Sequence, residues 1–394
     1  MSEAEAMNRS ARNPFAHEDH DPNRIHRRRF VEGAALLGGL LAGRKLHAAT
    51  AENRHVPLSP IGKGRGVQPG RVVWAYDPGA VLWNGPQDGY WWKGENVSYV
   101  RVGNMVRQAV CLTAGKTNLA DAWNALFTAH NQQRGKGAVG YRPGEKIAIK
   151  PNWVGMIFHE GLVDPETYTW IRRHNYMNTS PHVIMAVLDQ LTTTAGVRQE
   201  DITIVDTLAY VVREYYDIIH GAFPEVRFED YAGKFGRVKV QESEVPLYWS
   251  SRPENVRTDR LPTCFAQAEY LINIANFKAH TGGGVTLCAK NHYGSLIRWP
   301  VQKGYYDIHP GCFSTAEGIY RPLVDLIGHA HLGGKTVLYM IDGLFSGTHP
   351  RDPEPQRMSL PPMEGRWSCS VFASQDPVAI DSVAFDFLSA NGFP

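Results

Sequence analysis

The chain has 394 residues, 43% of them hydrophobic, enough to bury a large core as one large domain or two lobes. A formal charge of +2 supplies no basic field, so nucleic acid is not an expected partner. The five cysteines, Cys111, Cys264, Cys288, Cys312 and Cys369, are scattered and form no C-x-x-C pair. That excludes a locally encoded zinc ribbon or ferredoxin-type cluster and argues against a disulfide framework.

Residues 1–23 are polar and read as a disordered tail. His26-Arg27-Arg28-Arg29-Phe30-Val31 then leads into Gly33–Gly43, rich in Ala, Leu and Gly, with small residues at Ala49-Thr50-Ala51. The apolar stretch is about half the length that spans a bilayer. Paired arginines, a mild apolar segment and a small-residue cleavage site are the pattern of a twin-arginine signal. The alternative is a basic arm before a buried helix. On the first reading, residues 1–51 are removed on export, the twin-arginine machinery is a partner, and the mature protein is periplasmic or otherwise exported without a stable membrane span. Residues 52–70, dense in Gly and Pro, read as a linker. Residues 71–394 are expected to form one α/β domain; two lobes, or further structure beyond Pro394, remain open.

Arg71–Tyr76 predicts a strand, residues 98–112 a helix, and Leu119, Ala122, Trp123, Leu126 and Phe127 a second helix starting near Thr117 or Asn118. Lys146–Asn152 predicts a strand with polar residues and Pro151 at its end. Residues 153–178 show no period and contain Trp153, His159, Trp170, Arg172, Arg173 and His174, which suggests a lid or binding loop. Thr179 or Ser180 caps the next helix, Pro181 opens it, and Ile184, Val187, Leu188 and Leu191 share one face. Ile202–Asp206 is a third strand. Thr207–Thr263 is poorly patterned, with short helical (211–220) and strand-like (226–228, 238–240) runs.

Tyr270–Ala275 has the length and composition of a buried strand. It is followed by Asn276, Lys278 and His280, by Thr281-Gly282-Gly283-Gly284, and by a segment carrying Lys290 and Asn291. Strand, glycine turn and helix is an arrangement that presents bare backbone N–H groups to an anion. The run is neither G-x-G-x-x-G nor a P-loop. Residues 297–318 form a second irregular insertion with Trp299, Tyr305, Tyr306, His309 and Cys312. A helix from Pro322 ends at Gly333-Gly334, with His329 and His331 expected in solvent or against the helix dipole. Thr336–Ile341 is a strand ending in Asp342-Gly343, and residues 344–368 are a Pro-rich loop containing His349, Arg351 and Arg366. Val371–Ser374 is the final strand, before a helix capped by Asp376, opened by Pro377 and buried through Ile380, Val383, Ala384 and Phe387.

Apolar strands alternating with helices predict an α/β fold with a mostly parallel or mixed sheet, flanking helices and long irregular insertions. Lys150, Asn152, Asp206, Asn276, Lys278, His280, Asp342, Ser374 and Asp376 would then share the rim at the carboxyl ends of the strands, where ligands bind in open α/β sheets. The bland alternative is that these residues form turns and caps; Asp376 is read as a cap. Lysines at the ends of apolar strands are costly to bury without an anionic partner. An anionic small molecule is therefore expected, bound by Lys150, Asn152, Lys278, Thr281, Gly282, Gly283, Gly284 and Asn291. His280, Asp206 and Lys290 form the catalytic set: His280 as acid/base, Asp206 as its orienter, and Lys290 beside Thr286 on one helical face. No cofactor is specified.

Ile149-Lys150-Pro151-Asn152, Thr179-Ser180-Pro181, Asn276-Phe277-Lys278-Ala279-His280 with Thr286–Gly294, and Ser374–Asp381 resemble, in this order over residues 140–394, the domain of unknown function family numbered 362. The K-x-H…K-N-x-x-G block carries most of the specificity. The resemblance implies an α/β domain often found in iron–sulfur proteins, without one settled activity. Some members have ferredoxin-like cysteine motifs that this chain lacks, and exported members with a twin-arginine leader are the most similar. That implies redox chemistry before hydrolysis. The His/Gly/Lys pattern alone is similar to nickel-dependent lactate racemases. Three readings stand: an exported enzyme acting on an anionic molecule, a non-catalytic periplasmic binding or assembly protein, and a metal-dependent isomerase-like enzyme with a metal on His280, His292 and an aspartate.

Overall fold

The computed structural model describes residues 62–158, 160–249, 259–280, 283–297, 322–348, 352 and 354–393. The expected signal peptide, Thr281, Gly282, His159, His349, Arg351 and almost all of the 297–318 insertion lie outside them.

In chain order the elements are β1 (Val73–Tyr76), α1 (Tyr99–Ala114), α2 (Leu119–Gln133), β2 (Ile147–Pro151), α3 (Pro181–Thr193), β3 (Ile202–Val205), α4 (Arg213–Ala222), β4 (Arg227–Asp230) and β5 (Val238–Lys239). There follow β6 (Glu242–Leu247), β7 (Asp259–Pro262), α5 (Thr263–Gln267), β8 (Tyr270–His280), β9 (Gly284–Thr286), α6 (Cys288–Asn291), α7 (Pro322–Gly328), β10 (Thr336–Gly347), β11 (Ser370–Ser374) and α8 (Pro377–Ala390). The main sheet runs β1-β11-β10-β8-β2-β3-β4-β5, with β9 folded back on β8. From β10 to β5 every neighbour is parallel, whereas β11 is antiparallel to both β10 and β1. The fold is thus α/β with a mostly parallel, mixed sheet.

Both faces of the sheet are covered. Ile149, Ile204 and Ile272 pack with Val106 of α1, Trp123 of α2 and Val187 of α3 on one side. On the other, Phe277 and Ile341 meet Ile380 and Ala384 of α8, and Ala148, Val205 and Leu271 meet Phe265 of α5 and Leu326 of α7. Alternate residues of a strand face opposite sides, and both sides are apolar here, so the strands are continuous rather than alternating hydrophobic runs. Each fully buried Leu or Ile contributes about 1.5–3 kcal/mol. The three expected caps are present: Asn118 Oδ1 accepts from the N–H groups of Ala120 and Asp121, Ser180 Oγ from His182, and Asp376 Oδ1 from Val378 and Ala379.

Several expectations are corrected. β8 does not stop at Ala275 but continues through Asn276, Lys278 and His280, because β10 stays beside it: Asp342 pairs with Asn276 and Gly347 with Lys278. Asp342-Gly343 is accordingly inside a strand of twelve residues and is not a turn. The glycine turn does not open a helix. Instead β9 returns antiparallel along β8, with His280 opposite Gly284 and Lys278 opposite Thr286. Gly284 has φ +75°, a left-handed conformation that favours glycine. Helix α6 begins only at Cys288, so Thr286 and Lys290 share no helical face. β11 runs against β10, with Ser374 opposite Tyr339. Ser374 is therefore level with Lys150 across the sheet, and the chain leaves β11 towards the amino ends of the parallel strands, so that Asp376 does not join the carboxyl-end rim. His329 is half-buried: its Nε2 lies 3.1 Å from the Pro246 carbonyl, and its Nδ1 accepts from the His331 N–H.

The 153–178 segment is not an open lid. Trp153, Tyr168, Trp170 and Tyr176 are buried, and the indoles of Trp91 and Trp92 donate to the carbonyls of Asn175 and His174. It is a packed cover over the carboxyl ends of the central strands. Among the described residues no helix is long and apolar enough to cross a membrane.

Candidate functional site

Chain order places β2 first, continues through β3, β4 and β5 on one side, and then returns to lay β8 and β10 on the other. Strand order therefore reverses between β2 and β8, the position where open α/β sheets form a ligand crevice. Lys150 of β2 is paired with Asn273 of β8 at this seam.

The seam is filled by a continuous buried polar network. Lys150 Nζ donates to Asp206 Oδ2 at 3.0 Å, to Asn291 Oδ1 at 3.3 Å and to the Pro151 carbonyl. Asn291 Nδ2 donates to the Lys150 carbonyl and to Asn273 Oδ1. Asn273 Nδ2 reaches His292 Nε2 at 3.0 Å, and His292 Nδ1 meets Ser295 Oγ at 3.1 Å. Asn152 links both sides, donating to Asn291 Oδ1 and accepting at its own Oδ1 from Asn276 Nδ2 and Lys278 Nζ. Such a network is favourable only when nearly every member is satisfied.

The three lysines of the sequence analysis separate chemically. Lys150 is 1% exposed; burial pushes its amine below the ordinary lysine range, and the Asp206 carboxylate opposes this. All three of its N–H groups have acceptors, one of them a carboxylate, as an ammonium requires. Asp206 accepts from Lys150 and from the N–H groups of Trp153 and Leu208. Its role in the structure is thus to hold Lys150 and not to orient His280. Gly294 lies directly over this pair: a Cβ there would come within 2.7 Å of Asp206 Oδ1 and 2.9 Å of Lys150 Nζ.

Lys278 is 0% exposed, and its hydrogen-bond partners among the described residues are neutral: Asn152 Oδ1 at 3.2 Å and the Met177 carbonyl at 3.5 Å. Its Nζ sits 5.2 Å from the centre of the Tyr176 ring. Burial, and secondly the Lys290 charge, push its amine well below the ordinary range, while Asp352 pulls the other way. Lys290, 8% exposed, stands 5.3 Å from the Tyr293 ring centre. Gly283 lets its chain lie flat, because a Cβ would be 2.8 Å from Lys290 Cε and 3.8 Å from His280 Nδ1. Lys278, Lys290, His280 and Gly283 thus come together at the end of β8, with Asn152 and Asn291 just beneath. Lys150 and its partner Asp206 are linked to them through Asn291 and Asn152.

Next to this cluster, Trp91, Met177, Asn178, Asn276, Asp342 and Phe345 surround a gap too small for a water molecule. Asp342 accepts from the N–H groups of Ser180 and Leu344, and burial raises its carboxyl to about 6. Asn178 donates nothing through its Nδ2, although its Oδ1 accepts from Gly155. His292, proposed above as a metal ligand with His280, has both ring nitrogens engaged, and burial lowers its imidazole to about 3. Among the described residues no group of three or more His, Cys, Asp or Glu is placed to hold a metal ion.

Asn273 was not singled out in the sequence, although an amide within an apolar strand needs partners when buried. Met177 and Asn178 carried no signal at all, because they enter through the irregular cover. No curated protein matches the chain. The family model described as "Domain of unknown function (DUF362)" matches residues 147–386, from the start of β2 into α8, and so spans the entire network. The chain belongs to this domain of unknown function family, DUF362.

Proposed function

We propose that the protein is an enzyme acting on an anionic small molecule, a carboxylate or phosphate, received by Lys278 and Lys290 with His280 beside them. The observation that carries this is the pairing of two buried, mutually repelling lysines. Lys278 is bonded only to neutral oxygens among the described residues, whereas the equally buried Lys150 has its own carboxylate. An anion received by both favours the charged form of Lys278 in a poorly solvated place. The lysine pair fits substrates of redox or hydrolytic reactions alike.

Titration calorimetry with oxalate and with inorganic phosphate tests the reading. Binding is expected to take up protons, because the anion favours the charged form of Lys278, and to weaken at least about tenfold in Lys290→Met, a loss of roughly 1.4 kcal/mol. Absence of binding by both anions would refute it. His280→Ala separates an enzyme from a binding protein: with a turned-over substrate, the enzyme loses rate and keeps affinity. Export is supported by the His26–Val31 basic segment and the small residues at 49–51; a full-length chain retained in the cytoplasm, with Arg28 and Arg29 intact, would overturn that part.

A further inference from the structure

The hydrogen-bond inventory around Lys278 has a chemical consequence. An ammonium has three N–H donors and a neutral amine has two donors and a lone pair. Lys150 shows the first case, with three acceptors including Asp206. Lys278 has two acceptors among the described residues, Asn152 Oδ1 and the Met177 carbonyl. Asn276 Nδ2 donates to the same two oxygens, so those acceptors anchor a strand side chain as well as the amine. As a neutral amine Lys278 has every N–H bonded and its lone pair turned away from them. The strand is buried along its whole length except at His280, which is half-buried. A desolvated lysine beside a second cation is the arrangement that makes an amine nucleophilic near neutral pH.

We propose that Lys278 forms a covalent imine with an oxo acid, a molecule bearing an aldehyde or ketone next to its carboxylate. The inference rests on the anion reading above: Lys290 holds the carboxylate, and Lys278 takes the adjacent carbonyl carbon. Nζ adds its lone pair to that carbon as the C=O π pair moves to oxygen. The Lys290 ammonium protonates this oxygen and recovers a proton from the Lys278 nitrogen, giving the carbinolamine. A second proton relay through Lys290 expels the oxygen as water while the nitrogen pair forms C=N, so that the two protons gained by the oxygen match the two lost by the Lys278 nitrogen. Amine and carbonyl thus become imine and water, and no oxidant or reductant is required.

Glyoxylate with cyanoborohydride tests this on the full chain, because reduction fixes any imine as a carboxymethylated lysine that peptide mapping locates. At about pH 6 ordinary lysines stay protonated. Modification is expected on Lys278 at least about tenfold faster than on the other lysines, the factor that one pH unit is worth in free amine. Excess oxalate, an anion without a reactive carbonyl, should suppress it. The site is read in the wild-type chain, so it does not depend on a variant folding; Lys278→Arg, which keeps a long polar chain but has no nucleophilic amine, should abolish the adduct. Oxalate binding without preferential modification of Lys278, or an adduct on Lys290 instead, overturns the imine and leaves the anion site standing. Neither binding nor modification overturns both.

Discussion

Two lysines on neighbouring strands, Lys150 at 1% and Lys278 at 0% exposure, should respond in opposite ways to the same substitution. Lys150→Met removes the only cation bonded to Asp206 among the described residues, and Asp206 is itself 5% exposed. It also leaves Asn291 Oδ1 with a single donor, Asn152 Nδ2. Breaking a buried pair from one side costs about 3–5 kcal/mol, because the surviving charge stays desolvated. Lys278→Met leaves no such orphan. Asn152 Oδ1 and the Met177 carbonyl both still accept from Asn276 Nδ2, at 3.1 and 3.0 Å, and a poorly solvated amine is replaced by an apolar chain of similar length. The net change should lie within about 1 kcal/mol in either direction. Urea unfolding of both variants at neutral pH, compared through their midpoints at an unchanged slope, measures the difference. Adding Asp206→Asn to Lys150→Met should recover part of the loss. Equal destabilisation by the two lysine substitutions, or a neutral Lys150→Met, would refute the assignment of Lys150 to structure and Lys278 to ligand.

Gly294→Ala should destabilise by roughly 1–3 kcal/mol, since its Cβ would press on both Asp206 Oδ1 and Lys150 Nζ; a melting temperature equal to wild type would count against a tightly packed pair. Asp342 is raised to about 6 by burial. A carboxyl raised in the folded state contributes stability that is present at about pH 4 and lost as pH rises through about 6. The stability of wild type relative to Asp342→Asn should therefore fall across that window, and a difference that is flat with pH would show that Asp342 titrates normally. Asp376→Ala should cost about 1 kcal/mol by removing the cap of α8, together with the Arg65 N–H bond to its second oxygen. Calorimetric melting of this variant should show a small loss with oxalate affinity unchanged, because Asp376 lies at the far rim.

The sequence by itself determined the elements whose signals are local. Ser180-Pro181, Asn118 and Asp376-Pro377 set helix starts through side-chain caps and a proline that suits the first turn, which need no distant partner. Apolar runs at Ile147, Ile202 and Tyr270 determined the buried parallel strands, and the cost of burying lysine pointed to Lys150, Lys278 and Lys290. The tertiary structure alone decided how far the strands run and which charges meet. β8 and β10 extend past their apolar stretches because each supplies the other's backbone hydrogen bonds, and this turned the expected glycine-to-helix turn into a hairpin. The reversed direction of β11 sent Asp376 to the opposite rim, since strand direction is set by pairing across the sheet rather than by residues within the strand. Lys150 and Lys278 look alike along the chain. Only the arrival of Asp206 at the end of β3, 56 positions away from Lys150, gave one lysine a carboxylate, while Lys278 was left with the neutral oxygens of Asn152 and Met177.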